Sequence, residues 1–184
     1  MKKDVVAGLG EIGLPICKII SRNFPVYGYD TDKKLIPNNP KKFENYPVRF
    51  LHICIPYSKF FLPNVLKLNK KFLPESIIVH STIKPKTTQN LQKKLSIPII
   101  YSPTRGVHKR MTLDLKRYTK FFALENKTKN SALISKNYVN LMKKCGIKTK
   151  RLSNPITLEL SKIICDTSYY GWLINYAQMS KMIA

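Results

Sequence analysis

The sequence predicts an α/β fold with a doubly wound, mostly parallel sheet followed by a long C-terminal helix. Three observations carry this expectation. The chain opens on Lys3-Asp4-Val5-Val6-Ala7-Gly8-Leu9-Gly10-Glu11-Ile12-Gly13-Leu14-Pro15-Ile16, an apolar run broken by glycines at the spacing G-x-G-x-x-G and continuing into helix-like sequence. Further apolar runs of strand length alternate with stretches of helical periodicity, the pattern of strand–helix–strand units. From Pro155 to about Ile183 the chain stays helical and apolar.

In the opening stretch Val5, Val6 and Ala7 suit a buried strand and Gly8 the turn that ends it. Gly10 lets the backbone approach a pyrophosphate, and Gly13 lets the next helix pack closely on the strand. The free N–H groups at that helix start then face phosphates. Gly8, Gly10, Glu11, Ile12 and Gly13 form the expected phosphate-binding turn of a Rossmann-type domain. The next strand, 25–30, ends in Asp30, placed to accept hydrogen bonds from the ribose hydroxyls of an adenosine. Its charge would repel a 2′-phosphate, which favours NAD over NADP.

Ile16, Ile19 and Ile20 give residues 14–22 helical spacing, whereas Thr31 to Pro47 is polar and, around Pro37-Asn38-Asn39-Pro40, hostile to any long element. Residues 50–55 read as a strand covered on both faces and stopped by Pro56. A helix over 58–72 and a strand over 77–80 follow. Ile55, Pro56, Ser81 and Thr82 then fall at carboxyl ends of strands, the ligand side of an open sheet. Thr87 or Thr88 is the expected cap of a helix running to Leu95, and 97–101 is a further strand. The turn Ser102 to Arg110 carries too many hydrogen-bonding groups for a plain connector. A strand over 118–124, a helix over 130–144 and an extended stretch over 147–152 complete residues 1–153, the expected cofactor domain. Asn154-Pro155 caps the last helix, so 154–184 reads as a separate helical region that needs a partner to cover its apolar surface.

Composition sets the bounds. Lys and Arg total 33 against 10 Asp and Glu, a formal charge of +23. The excess is mostly lysine, spread along the chain and not interleaved with aromatics, which reads as a solvated surface and makes nucleic acid an unlikely partner. A basic surface also attracts polyanionic cofactors and substrates. Cys17, Cys54, Cys145 and Cys165 show no C-x-x-C pairing and no histidine at ligand spacing, so reduced, buried thiols and no metal site are expected. With no leader-like opening and no apolar stretch of bilayer length, a cytoplasmic protein that does not enter a membrane is expected.

On the last helix Glu159, Lys162 and Asp166 fall at spacings of three and four. From spacing alone they make either an exposed ion-pair row or a polar site.

Taken in order, GLGEIGLP at 8–15, Asp30, HICIPYS at 52–58, HSTIKPKTT at 80–88, YSPTRG at 101–106 and ELSKIICDTSYYGWLINYA at 159–177 resemble the N-terminal half of the UDP-glucose/GDP-mannose dehydrogenase family. The resemblance implies an NAD-binding domain, oxidation of a nucleotide sugar at its alcohol, and a long helix that forms a homodimer. It implies that Thr82 sits by the nicotinamide and a reactive water, and that Lys162 is the catalytic lysine steadying oxyanion charge, with Asp166 beside it. Arg105, Gly106 and His108 stand as substrate-binding candidates with Glu159 and Lys162. Arg105 suits a phosphate or carboxylate, and His108 suits proton exchange near neutral pH.

Departures from the family pattern accompany the matches. Thr104 replaces the glutamate that follows the SP dipeptide, Asp166 replaces an asparagine, and Lys86 replaces a glycine. The family's nucleophilic cysteine belongs to a C-terminal domain that this sequence does not contain, and Cys165 is expected to be a core thiol. The leading reading is therefore an NAD-dependent oxidoreductase of the nucleotide-sugar dehydrogenase type. A non-catalytic NAD-binding or assembly module stands second, and a basic nucleic-acid-binding protein third.

Overall fold

The computed structural model describes residues 1–36, 43, 45–125, 128 and 130–183, with the backbone alone at 108. Its strands are β1 (Lys3–Ala7), β2 (Val26–Tyr29), β3 (Val48–Ile53), β4 (Ser76–Val79), β5 (Ile99–Tyr101), β6 (Lys120–Leu124) and β7 (Thr149–Arg151). They form one seven-stranded sheet in the order β2-β1-β3-β4-β5-β6-β7. Neighbours are parallel except β5 and β6. The chain steps outward from β1 to β2 and returns to β3. The carboxyl ends of β1 and β3 therefore diverge at a switch point, where open α/β sheets take ligands.

Alternating side chains send each strand's apolar residues to both faces. Val6, Phe50, Ile78, Ile100 and Phe122 pack under α1 (Gly13–Ile20), α4 (Met111–Arg117) and α5 (Ser131–Lys144). Val5, Leu51, Ile77, Ile99 and Ala123 pack under α2 (Phe61–Phe72), α3 (Thr87–Gln92) and α6 (Pro155–Ile164). This two-sided burial explains why the strands read as nearly continuous apolar runs.

The same alternation lays a row of buried polar residues across the first face: Asp4, His52, His80, Ser102 and Lys120. Arg49 grips Asp4 bidentately at 3.0 and 2.7 Å. Burial alone would raise the Asp4 carboxyl, but the His52 ring, with Nε2 3.9 Å away, and the bidentate Arg49 outweigh it and hold it below the usual range. His80 Nδ1 lies 3.0 Å from the Ser102 carbonyl, which can only accept, so Nδ1 donates. His80 Nε2 then accepts from His52 Nδ1 at 2.9 Å. Burial, with Lys120 and His52 adding to it, keeps His80 neutral.

Several elements differ from the sequence reading. The helix α4 was not expected, because Met111–Arg117 follows a polar turn and spans only two turns. The helix begun at Thr87 ends at Gln92 rather than Leu95, where Gln92 folds back to bond the Leu95 and Ile97 carbonyls at 2.9 and 3.0 Å. Its first N–H groups are not capped by Thr87 or Thr88 but by a carboxylate from α6. The long helix is interrupted: a π turn, Cys165–Tyr169, separates α6 from α7 (Tyr170–Ile183). Such turns widen a helix locally and recur at functional sites. The stretch Pro37–Pro40 lies outside the described residues. Among the described residues no helix is long and apolar enough to cross a membrane.

Candidate active site

The turn after β1 is built by steric necessity. Gly8 has φ +92°, and a Cβ there would stand 2.8 Å from the Cys54 carbonyl carbon and oxygen. A Cβ on Gly13 would fall 1.7 Å from the Gly8 oxygen. These two glycines are therefore demanded by the packing of β1, β3 and α1. Gly10 is different: nothing lies within 4 Å of its would-be Cβ, so the space beside it is open to a ligand. Gly8, Gly10, Glu11, Ile12 and Asp30 line one cleft of about 670 Å³ with Ile55, Pro56, Ser81 and Thr82. That volume lies within the usual range for small-molecule sites. Gly13 does not line the cleft; it is buried under the turn.

Asp30 also fastens the turn. Its Oδ2 accepts from the Leu9 N–H at 2.6 Å and its Oδ1 from the Asp32 N–H at 2.9 Å. Oδ1 also accepts from the Thr31 hydroxyl at 3.4 Å. Each carboxylate oxygen has two lone pairs, so the acceptor site that remains is on Oδ2. Ser81 donates to the Ile55 carbonyl at 2.6 Å, tying the ends of β3 and β4 together on the cleft floor.

A second cavity, about 520 Å³, meets the first. Thr82 and Ile12 line both. Around it stand Thr104, Arg105, Gly106, Lys162 and Asp166, which the chain contributes from the segment after β5 and from α6 with its π turn. Lys162 Nζ is paired with both Asp166 oxygens, at 2.9 and 2.6 Å. Arg105 donates from Nε and Nη2 to the Tyr170 hydroxyl at 3.1 and 2.8 Å and lies over the Tyr118 ring. One edge of its guanidinium is thus occupied, and among the described residues no group bonds the other. Asp114, buried beside the cavity, accepts from the Val107 N–H at 2.9 Å and from Arg110 at 3.1 Å, which holds its carboxyl below the usual range.

Two expectations are corrected. Glu159 does not reach this cavity: it is fully buried and faces α3, where its oxygens accept from the Lys86 N–H at 2.6 Å and from the Thr88 N–H and hydroxyl at 2.9 and 2.6 Å. Its carboxylate is consumed by a helix start, so the candidate substrate contact falls away and the polar row reduces to Lys162 and Asp166. Cys165 is not a core thiol. It is half-exposed on the π turn and lines a small cavity of about 200 Å³. The His108 side chain lies outside the described residues.

Sequence reasoning missed Lys120. It opens β6, is only 6% exposed, and extends Nζ to the Ser102 carbonyl at 2.9 Å, the Pro103 carbonyl at 3.0 Å and Thr104 Oγ1 at 3.1 Å. Burial lowers its ammonium to about 7, against an opposing pull from Cys54 and with a lesser push from Lys162. The only sequence signal was a lysine at the head of an otherwise apolar strand. In a chain this rich in lysine, that position alone does not stand out.

No protein-family model matches the sequence, and no curated protein sequence matches it significantly. Solved structures do resemble it. The UDP-D-ManNAc dehydrogenase of Pyrococcus horikoshii superposes with a TM-score of 0.73 at 18% identity, over 90% of this chain and 50% of that one. The UDP-N-acetyl-mannosamine dehydrogenase of Staphylococcus aureus does so with a TM-score of 0.68 at 17% identity, over 90% and 51%. Prephenate dehydrogenase of Aquifex aeolicus, in complex with hydroxyphenyl propionate and NAD+, gives 0.65 at 18% identity, over 100% and 70%. The chain thus spans about half the length of the two sugar dehydrogenases. At these identities the likeness establishes the fold: a Rossmann-type α/β domain of the kind found in dehydrogenases.

Proposed function

We propose that the protein is an NAD-dependent oxidoreductase that oxidises an alcohol of an anionic substrate, a nucleotide sugar foremost. The observation that carries this reading is the pair Thr82 and Ile12, which line both the glycine-turn cleft and the polar cavity. A dinucleotide seated with its adenosine end at Asp30 would extend toward Thr82, and the cavity beyond Thr82 holds the cations suited to an anionic substrate.

The cleft fits NAD on two counts. The space beside Gly10 is open, and Asp30 Oδ2 keeps an acceptor site for a ribose hydroxyl, with the long Thr31 bond to Oδ1 the one most readily exchanged for a second. Bound NAD would supply the two-electron acceptor. The N–H groups at the start of α1 would hold its diphosphate. Lys162, steered by Asp166, would face the oxygen that gains negative charge as the carbonyl forms, where a positioned ammonium acts most strongly in the transition state. Thr82 would order a water beside the reacting carbon, and Arg105 would hold a phosphate or carboxylate.

The exposed apolar residues Trp172, Ile174, Tyr176 and Met179 on α7 support self-association through this helix, as in the family the sequence resembles. The test of the cofactor reading is titration with NAD followed by melting temperature. Binding at micromolar concentration raises it, and an unmoved melting temperature overturns the reading. Turnover with UDP-N-acetyl-mannosamine, abolished by Lys162→Ala, separates an enzyme from a module that binds NAD without chemistry.

A further inference from the structure

Thr104 stands where the resembling family carries a glutamate, so this position does not itself supply a carboxylate to accept the proton of an alcohol. Among the described residues a different acceptor lies behind it. Thr104 lines the cavity shared by Thr82, Arg105 and Lys162, and behind its hydroxyl lies Lys120. We propose that Thr104 and Lys120 form a hydroxyl–amine pair that removes the substrate proton: Thr104 Oγ1 meets the alcohol, and Lys120 Nζ receives the proton through it. This inference rests on the oxidoreductase reading above.

The geometry around Nζ accommodates both states the transfer requires. A neutral amine has two N–H donors and one lone pair. The two carbonyls, Ser102 and Pro103, match the donors, and the Thr104 hydroxyl, a donor as well as an acceptor, matches the lone pair. After protonation the third N–H points to Thr104 Oγ1, whose own hydrogen is then free to turn toward the cavity. Both states are fully hydrogen-bonded, so gain of the proton leaves no buried group without a partner.

The surroundings hold the amine near the balance point. On one side Lys120 faces Ile16, Ile20, Leu115 and Met142, which give no solvation to an ammonium. The titratable and charged groups around it, among the described residues, are Lys162 from α6, Cys54 after β3, His80 after β4, Cys165 on the π turn, and Asp114, Arg105 and Tyr118 across the small cavity. His80 is neutral and donates to the same Ser102 carbonyl, which fixes that carbonyl in place. Asp114 is already committed to Val107 and Arg110. Among the described residues no carboxylate bonds Nζ, so burial prevails and the amine is poised near neutral pH, as a base requires.

The step balances. The alcohol carbon loses a hydride to NAD, the two-electron oxidant, and its oxygen loses a proton to Thr104 Oγ1 while the Thr104 hydrogen passes to Lys120 Nζ. The carbon–oxygen bond becomes a carbonyl, and Lys162 faces its oxygen throughout. Lys120 touches neither substrate nor cofactor and acts only through Thr104.

The deciding experiment follows lysine side-chain resonances of the isotopically labelled full chain from pH 5 to 10, without cofactor. One lysine with a midpoint near 7 is expected. It should disappear in Lys120→Met and move to lower pH in the near-isosteric Thr104→Val, because the ammonium loses an acceptor, and return in Thr104→Ser. If no lysine titrates below pH 9, or if Thr104→Val leaves the midpoint in place, the pair is overturned. Thr104→Val retains the fold should Lys120→Met fail to. With NAD and UDP-N-acetyl-mannosamine, Thr104→Val should lower kcat by about 10²- to 10⁴-fold, with KM little changed and the acid limb near pH 7 removed. Undiminished turnover in that variant sinks the pair and leaves the oxidoreductase reading standing. A wild-type melting temperature that NAD does not move sinks that reading while the lysine titration still reports on the pair.

Discussion

Glu159 of α6 accepts both the N–H and the hydroxyl of Thr88, at 2.9 and 2.6 Å, and so fastens the last helix to the start of α3. Thr88 lies in the first turn of α3, in the stretch between β4 and β5 that also carries Thr82. Glu159→Ala leaves the α3 donors buried without partners, and a loss of about 2–4 kcal/mol is expected. Urea denaturation checks this; a variant as stable as the parent would show that water replaces the carboxylate.

Lys86 precedes α3 with φ +71°, a left-handed conformation that costs a residue with a Cβ roughly 1–2 kcal/mol. Part of that relief is offset by the greater unfolded-chain freedom of glycine. Lys86→Gly should therefore stabilise the protein by about 0.5–1 kcal/mol, read as a raised thermal midpoint.

Stability should rise with pH above neutrality. Lys120 is held near 7 when folded against about 10.4 unfolded. Between those values the unfolded chain binds the extra proton, so the slope of unfolding free energy with pH is positive. The thiols act oppositely: burial raises Cys17 and Cys145 to about 11 and Cys54 to about 12. Above about pH 8.5, where unfolded thiols ionise, their contribution is lost as pH rises. Denaturation midpoints should therefore climb from pH 7 toward 9 and then flatten or fall. In Lys120→Met the climb should vanish.

The glycines of the first turn should separate folding from binding. Gly13→Ala puts a methyl 1.7 Å from the Gly8 oxygen and should unfold or strongly destabilise the domain. Gly10→Ala meets no protein atom within 4 Å. It should keep the unfolding free energy within about 0.5–1 kcal/mol of wild type while weakening NAD binding by at least tenfold, measured by calorimetric titration. Equal NAD affinity in both proteins would move the cofactor away from this turn.

If α7 joins two copies, Ile174→Asp on its exposed face, where Ile174 is 60% accessible, should convert a dimer to a monomer in sedimentation equilibrium. A wild-type monomer at micromolar concentration rules the association out.

The sheet was legible because its information is local. Buried parallel strands read as apolar runs, glycine spacing marks the first turn, and Asp30 sits where a second strand must end. The cleft residues from Gly8 to Thr82 follow from those positions once the strand order is known. Partners chosen by contact over long sequence separation were not legible. Spacing alone grouped Glu159 with Lys162 and Asp166, yet 73 residues separate Glu159 from the Lys86 N–H that claims it, and only packing of α6 on α3 brings them together.

By itself, then, the sequence determined the class of fold, the glycine turn and the acid at the end of the second strand. Periodicity and steric demand are written into neighbouring residues. Tertiary structure alone decided which charges are free and which are spent: Glu159 on a helix start, Asp30 partly on the Leu9 amide, Lys120 buried behind Thr104. The reason is physical. Burial and hydrogen-bond partnership, which set the chemistry of an ionisable group, depend on every element packed around it and not on the residues beside it in the chain.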